Sequence, residues 1–146
     1  MKTILHVTGL ILLLTAGAAS ARDTHVMYPL SEALATPAAK EKLDPKIKLY
    51  FGNQKHPKVA KDLGEWKTNK KTNGVNKTDK EACEWTLLSA VLEMQERAQK
   101  EGGNAVVGIV SNYRNVVHSS ETEYMCGSGA LMSGVALKGK VVTLAQ

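Results

Sequence analysis

Residues 78–110 read TDKEACEWTLLSAVLEMQERAQKEGGNAVVGIV, and this stretch decides the fold. Thr78 and Glu81 have the T-x-x-E spacing of a capping box, and Asp79 adds negative charge where unpaired backbone N–H groups leave a helix end positive. From there Cys83, Leu87, Val91, Met94 and Ala98 recur at helical spacing, flanked by Leu88 and Ala90. Lys80, Glu84 and Gln95 fall on the opposite side. The pattern predicts an amphipathic helix of about six turns. Gly102-Gly103 stops it. Ala105 to Val110 follows at once and is apolar at both odd and even positions, as expected of an interior strand covered on two sides.

Downstream, Tyr113 to Thr122 is polar and reads as a hairpin connection. Glu123 to Leu137 reads as one long final strand, with Gly127, Gly129 and Gly134 marking a bulge or the close approach of another backbone. Gly139 is expected to turn the chain into a short closing strand, Val141 to Leu144. Upstream, Thr24 to Tyr28 has strand character, and Thr36-Pro37 supplies an N-cap and a first-turn proline for a short helix through Leu43. Lys46 to Phe51 alternates, with Ile47, Leu49 and Phe51 on one side. Gly52-Asn53 ends it. Leu63 to Thr68 reads as another strand carrying Trp66. Lys67 to Lys80, rich in Lys and Asn and containing Asn73-Gly74, reads as an exposed loop. The predicted fold is α+β, one long helix packed on a twisted, mostly antiparallel sheet.

The first 21 residues set the compartment. Lys2 precedes an apolar run, Ile4 to Ala16, and Ala19-Ser20-Ala21 forms an A-x-A site before Arg22. This is the pattern of a cleaved secretory signal peptide, too short to read as a spanning helix. The expected working molecule is a single domain, residues 22–146, exported to the periplasm. No cysteine adjoins the cleavage site, so no lipid anchor is expected. The full chain carries a net charge of +5. In an exported domain this reads as solubility or contact with anionic envelope surfaces, not as nucleic-acid binding. Cys83 and Cys126 are the only cysteines. In an oxidising compartment two is the number needed for one bridge, with free thiols or a metal site as the rival readings.

A bridge would bring the two Cα atoms within about 7 Å and pin helix to sheet. Two arrangements stay open. Cys126 shares parity with Ala130, Met132, Gly134 and Ala136, whose small side chains would let a helix lie close. If Leu131, Val135 and Leu137 face the helix instead, a bulge near Gly127 must switch the parity.

The run from Ala98 to Gly103, then Asn104-Ala105-Val106-Val107-Gly108-Ile109, and the later Ser133-Gly134-Val135-Ala136-Leu137-Lys138, resemble the marks of the YbjQ-like family of small bacterial domains. The resemblance spans Glu81 to Lys138. It implies an α/β sandwich with the helix on a twisted sheet, and self-association, because some members look like ring oligomers. The family often carries a heavy-metal-binding label. The RcsF-like envelope sensors look like distant periplasmic versions with disulfides, though this chain lacks their lipidation cysteine. It also looks like exported proteins of which some are labelled excinuclease ATPase subunits. Residues 22–76 match nothing in the cytosolic members.

That last label fails on chemistry. Gly134 to Lys140 has the G-x-x-x-x-G-K spacing of a phosphate loop, but Val141 replaces the magnesium-binding hydroxyl and too few residues remain for the helix whose amino end would meet the phosphates. Ser119, Ser120, Ser128 and Ser133 lack a nucleophile-elbow setting, and Glu121 with Glu123 read as surface carboxylates. No enzyme and no cofactor is expected. Among soft ligands, His118, Met125 and Cys126 make the only grouping for zinc or copper, and a disulfide would remove Cys126 from it. The leading interaction candidates are the basic loop residues Lys67, Lys70, Lys71, Lys77 and Lys80, with an envelope protein or anionic envelope surface as partner. The function expected is a non-enzymatic periplasmic interaction or envelope-sensing domain; the alternative is a periplasmic metal-binding module.

Overall fold

The structure, a computed structural model, describes residues 22–146; the leader reading of residues 1–21 lies outside them. The elements in chain order are β1 (Asp23–Pro29), α1 (Leu30–Ala33), α2 (Pro37–Lys42), β2 (Lys48–Phe51), β3 (Val59–Asn73), α3 (Asp79–Glu101), β4 (Ala105–Ser111), β5 (Glu123–Gly129) and β6 (Met132–Leu144). A 3-10 turn, Tyr113–Asn115, lies between β4 and β5. The fold is α+β, with α3 packed on a six-stranded sheet.

The predicted capping box is present. Glu81 N–H donates to the Thr78 hydroxyl at 3.1 Å, and Thr78 N–H donates to the Glu81 carboxylate at 2.9 Å. Gly102 ends the helix in the left-handed conformation, φ 78°, which a residue without a β-carbon adopts freely. Cys83, Leu87, Val91, Met94 and Ala98 are all buried, as their spacing requires. Gln95, expected on the polar side, is also buried. Its amide donates to the carbonyls of Asp44 (3.0 Å) and Ile47 (2.8 Å) and accepts from Asp44 N–H at 2.9 Å. Those three bonds tie the segment between α2 and β2 to the helix, and the one to Ile47 O satisfies a buried carbonyl.

Strand β6 is the spine of the sheet. One edge pairs with β3 along its whole length, from Met132–Asn73 to Leu144–Val59. The other edge takes β5 at Ser133 and Gly134, then β4 from Leu137 to Val142. β1 adds antiparallel to β5, and β2 adds parallel to β4. The segment ahead of Asn76 therefore supplies β1, β2 and β3, half of the sheet.

Three sequence expectations need correction here. Leu63 to Thr68 is the middle of a 15-residue strand, and Lys67 to Asn73 belong to it rather than to a loop. A strand lying against only one neighbour, with polar side chains on its outer side, lacks the apolar signature of strands. Its backbone hydrogen bonds to β6 hold it extended all the same. The predicted final strand is two strands, β5 and β6, turning at Ala130-Leu131. Gly139 lies inside β6, where a β-carbon would stand 3.1 Å from the side chains of Ile109 and Val106. It marks close approach, not a turn.

The split also settles the parity question. Gly127 pairs with Gly134 and Ser128 with Ser133. One step further along this register Cys126 stands opposite Val135, so Cys126, Val135, Leu137 and Val141 share the helix side and the same core. The hairpin does what a bulge at Gly127 was expected to do. A real bulge occurs in β4. Gly108 has φ 59°, at the register shift between Val107 and Val110. It lets Val106 and Ile109 both face α3, while Ala105 and Val107 join Val142 and Leu144 in a small outer cluster. That is why the run is apolar at both parities.

Candidate interaction surface

The two cysteines are bonded, with Cα atoms 5.9 Å apart, and both are fully buried. The link joins the first turns of α3 to the middle of β5, as the exported-chain reading expected. It also takes Cys126 out of any ligand set. His118 and Met125 do meet a common neighbour: His118 exchanges backbone hydrogen bonds with Ser111 (2.9 and 3.0 Å), and Met125 N–H donates to the Ser111 hydroxyl at 2.9 Å. But Met125 and Cys126 are consecutive on a strand and point to opposite faces. The three expected ligands do not converge. Among the described residues no group of three His, Cys, Asp or Glu side chains is placed to hold a metal ion.

The five lysines read as one basic loop are dispersed. Lys67, Lys70 and Lys71 lie on β3, Lys77 in the turn that follows, and Lys80 in the first turn of α3. Alternation splits the strand residues between faces. Trp66, Thr68 and Lys70 look toward α3. Lys70 pairs with Glu93 at 2.8 Å, and the Thr68 hydroxyl donates to the same carboxylate. Burial works against the charge on Glu93, yet these two partners hold its carboxyl below the usual range. Arg97 lies 4.0 Å over the Trp66 ring. Lys80 pairs with Glu32, which lifts the lysine above its ordinary value through a hydrogen bond and charge attraction. Lys77 donates to Asn73 O at 3.1 Å.

The outer side of β3 is different. Lys67 stands directly opposite Lys138 of β6, and Lys71 opposite Gly134. Among the described residues none of these three lysines forms an ion pair. Like charges placed across from each other on a sheet face cost stability. Arg114 brings a fourth positive group over this face, paired with Asp23. Lys67 and Arg114 border a depression of about 210 Å³ that Asn69, Asn112, Asn115 and Ala136 also line; Lys71 and Lys138 lie outside its lining. Asn side chains and cations around a shallow basin can receive phosphate or carboxylate oxygens.

The wall of this basin is the segment around Tyr113. Arg114 and Asn115 both have left-handed backbones, φ 51° and 62°. The turn is held by Asn115 N–H to Asn112 O and Val116 N–H to Tyr113 O. The Tyr113 ring rests on the Gly127–Gly134 pair, with His25 packed edge-on at 4.9 Å. His25 in turn stands 3.3 Å from Asp23. Paired glycines thus make a flat seat for the ring, and the ring holds the loop that carries Arg114.

Lys138 and Arg114 were missed by sequence reasoning. Lys138 sits at the end of an apolar strand and looked like a boundary. Arg114 lay in a stretch that reads as a connection. The signal for the strip was the alternation Lys67, Asn69, Lys71, Asn73, which continues the strand through a composition that reads as loop. The Gly134 to Lys140 run is strand β6 throughout and offers no helix end to an anion.

Family models, curated proteins and solved structures give no match to this chain. No described helix is long and apolar enough to cross a membrane.

Proposed function

We propose that this protein is an exported, non-enzymatic interaction or sensing module that receives an anionic component of the cell envelope on the outer face of its sheet. The observation that carries the reading is the Lys67–Lys138 pair. Two cations face each other across adjacent strands and neither forms an ion pair among the described residues, a placement that costs the folded state and that a bound anion would relieve. Lys71 and Arg114 extend the same field, and the disulfide and buried core supply a rigid platform for it. The resemblance to RcsF-like envelope sensors supports an envelope role.

The test is retention of envelope extract on immobilised protein. Wild-type retention should fall as salt rises, because screening weakens exposed charge contacts. Replacing Lys67 and Lys138 together by serine should remove most of the salt-sensitive fraction. Equal retention by the double variant rejects this surface.

A further inference from the structure

Three of the large apolar side chains exposed on the described surface gather at one end of the sheet. Val75, Leu131 and Met132 are 48, 66 and 46% exposed. They come from two turns that are joined: Gly74 N–H donates to Leu131 O at 2.9 Å, and Asn73 pairs with Met132. The two turns therefore present one apolar tip. Lys71 lies two residues before Asn73, and the Lys77 ammonium donates to Asn73 O. Neither lysine has an ion-pair partner among the described residues. The described chain also begins at this end. Asp23 pairs with Gly129, and Arg22 donates to Gly129 O at 2.8 Å.

An apolar tip collared by unpaired lysines has the chemistry of a surface that seats in an anionic bilayer. The apolar groups enter the boundary between headgroups and acyl chains, while the ammonium groups meet phosphates. A second copy is a poorer occupant, because a two-fold contact through this tip would bring Lys71 and Lys77 against their own copies. We propose that this end docks on an anionic lipid bilayer, with Val75, Leu131 and Met132 inserted and Lys71 and Lys77 at headgroup level. This contact borrows Lys71 from the edge of the outer-face field but does not use Lys67 or Lys138, so variants at Val75, Leu131 and Met132 test it apart from that site.

The chain from Arg22 onward contains every described element and both cysteines, so it is the molecule to test. It should float with vesicles of phosphatidylethanolamine and phosphatidylglycerol, and not with vesicles of phosphatidylcholine alone. Leu131→Asp with Met132→Asp should lower partitioning roughly tenfold or more, given the apolar area withdrawn from the bilayer. Val75→Asp, on the other turn, should weaken it independently. Lys71→Ser with Lys77→Ser should weaken it and flatten its salt dependence. All these side chains lie at the surface of the tip, and unchanged thermal midpoints identify variants that keep the fold. Absence of flotation, equal flotation on both vesicle types, or full flotation of folded tip variants overturns the proposal. If Lys67→Ser with Lys138→Ser abolishes envelope retention while tip variants float normally, the outer-face site stands and the bilayer contact falls. If the tip variants fail to float while the Lys67→Ser, Lys138→Ser protein keeps full retention, the bilayer contact stands and the outer-face site falls.

Discussion

The Tyr113 ring lies so close over Gly127 that a β-carbon there would stand 2.3 Å from its Cζ and hydroxyl oxygen. No rotation of a methyl group relieves that contact, so either the ring or the strand must move. Gly127→Ala should destabilise the protein by about 1–3 kcal/mol, the usual cost of overpacking. Tyr113→Ala alone should cost less, and the double variant should recover most of the Gly127→Ala loss. Urea unfolding of the four proteins checks this; strictly additive losses would mean that the two residues are not coupled.

The bond between Cys83 and Cys126 closes a sequence separation of 43 residues. On the chain-entropy model such a loop stabilises by roughly 4 kcal/mol, a large share of the typical 5–15 kcal/mol of a domain. Cys83→Ser with Cys126→Ser, or reduction of the wild type, should lower the urea midpoint accordingly. A midpoint unchanged by reductant would show that the core alone supports the fold.

Gln95 is a buried amide serving three backbone groups of Asp44 and Ile47. Gln95→Ala leaves the buried Ile47 carbonyl and the part-buried Asp44 N–H without these partners, while Asp44 O keeps the Ile47 N–H. A loss of about 2–3 kcal/mol is expected. Gln95→Glu should be worse near neutral pH, because its carboxylate cannot donate to the two carbonyls. Amide hydrogen exchange at Asp44 should rise in both variants, and unchanged protection there would remove Gln95 from this role.

Tyr124 is buried, and its hydroxyl has no hydrogen-bond partner among the described residues. Burial first, and the nearby Glu84 charge second, push the phenol well above its ordinary value of 10.0. The sign follows from proton counting. Above about pH 10 the unfolded phenol loses its proton while the folded one keeps it, so stability is intact below that pH and falls as pH rises further. The slope from this one group is up to about 1.4 kcal/mol per pH unit. Tyr124→Phe should remove that part of the alkaline slope and be neutral or slightly stabilising at pH 7, because an unpartnered hydroxyl is replaced by hydrogen. An unchanged alkaline slope in the variant would assign it to other groups.

The helix was legible because its information is local: cap, period and stop all lie between Thr78 and Gly103. The disulfide was legible because only two cysteines exist and the leader-like start of the sequence led to the expectation of an oxidising compartment that favours pairing them. The length of β3 was not, because its extended form depends on β6, a partner that begins only at Met132. Gly139 carried a true signal that admits two meanings, turn or close contact, and only the position of Ile109 and Val106 distinguishes them. Gln95 shows the limit of polarity patterns. A polar residue on a helix reads as solvated unless the partner that makes it a core residue is known, and that partner lies 51 residues earlier. The basic surface failed as a loop and survives as a strip for the same reason: charge is visible in a sequence, but which cations are already neutralised is a property of the folded neighbours.

Strand β6 comes last in chain order, yet β3, β4 and β5 all pair with it. As the polypeptide is made amino end first, β1 can pair with β5 and β2 with β4, but those pairs and β3 have no common neighbour. The sheet closes only once Met132 to Leu144 have been made, so the last residues of the chain decide when the whole fold locks.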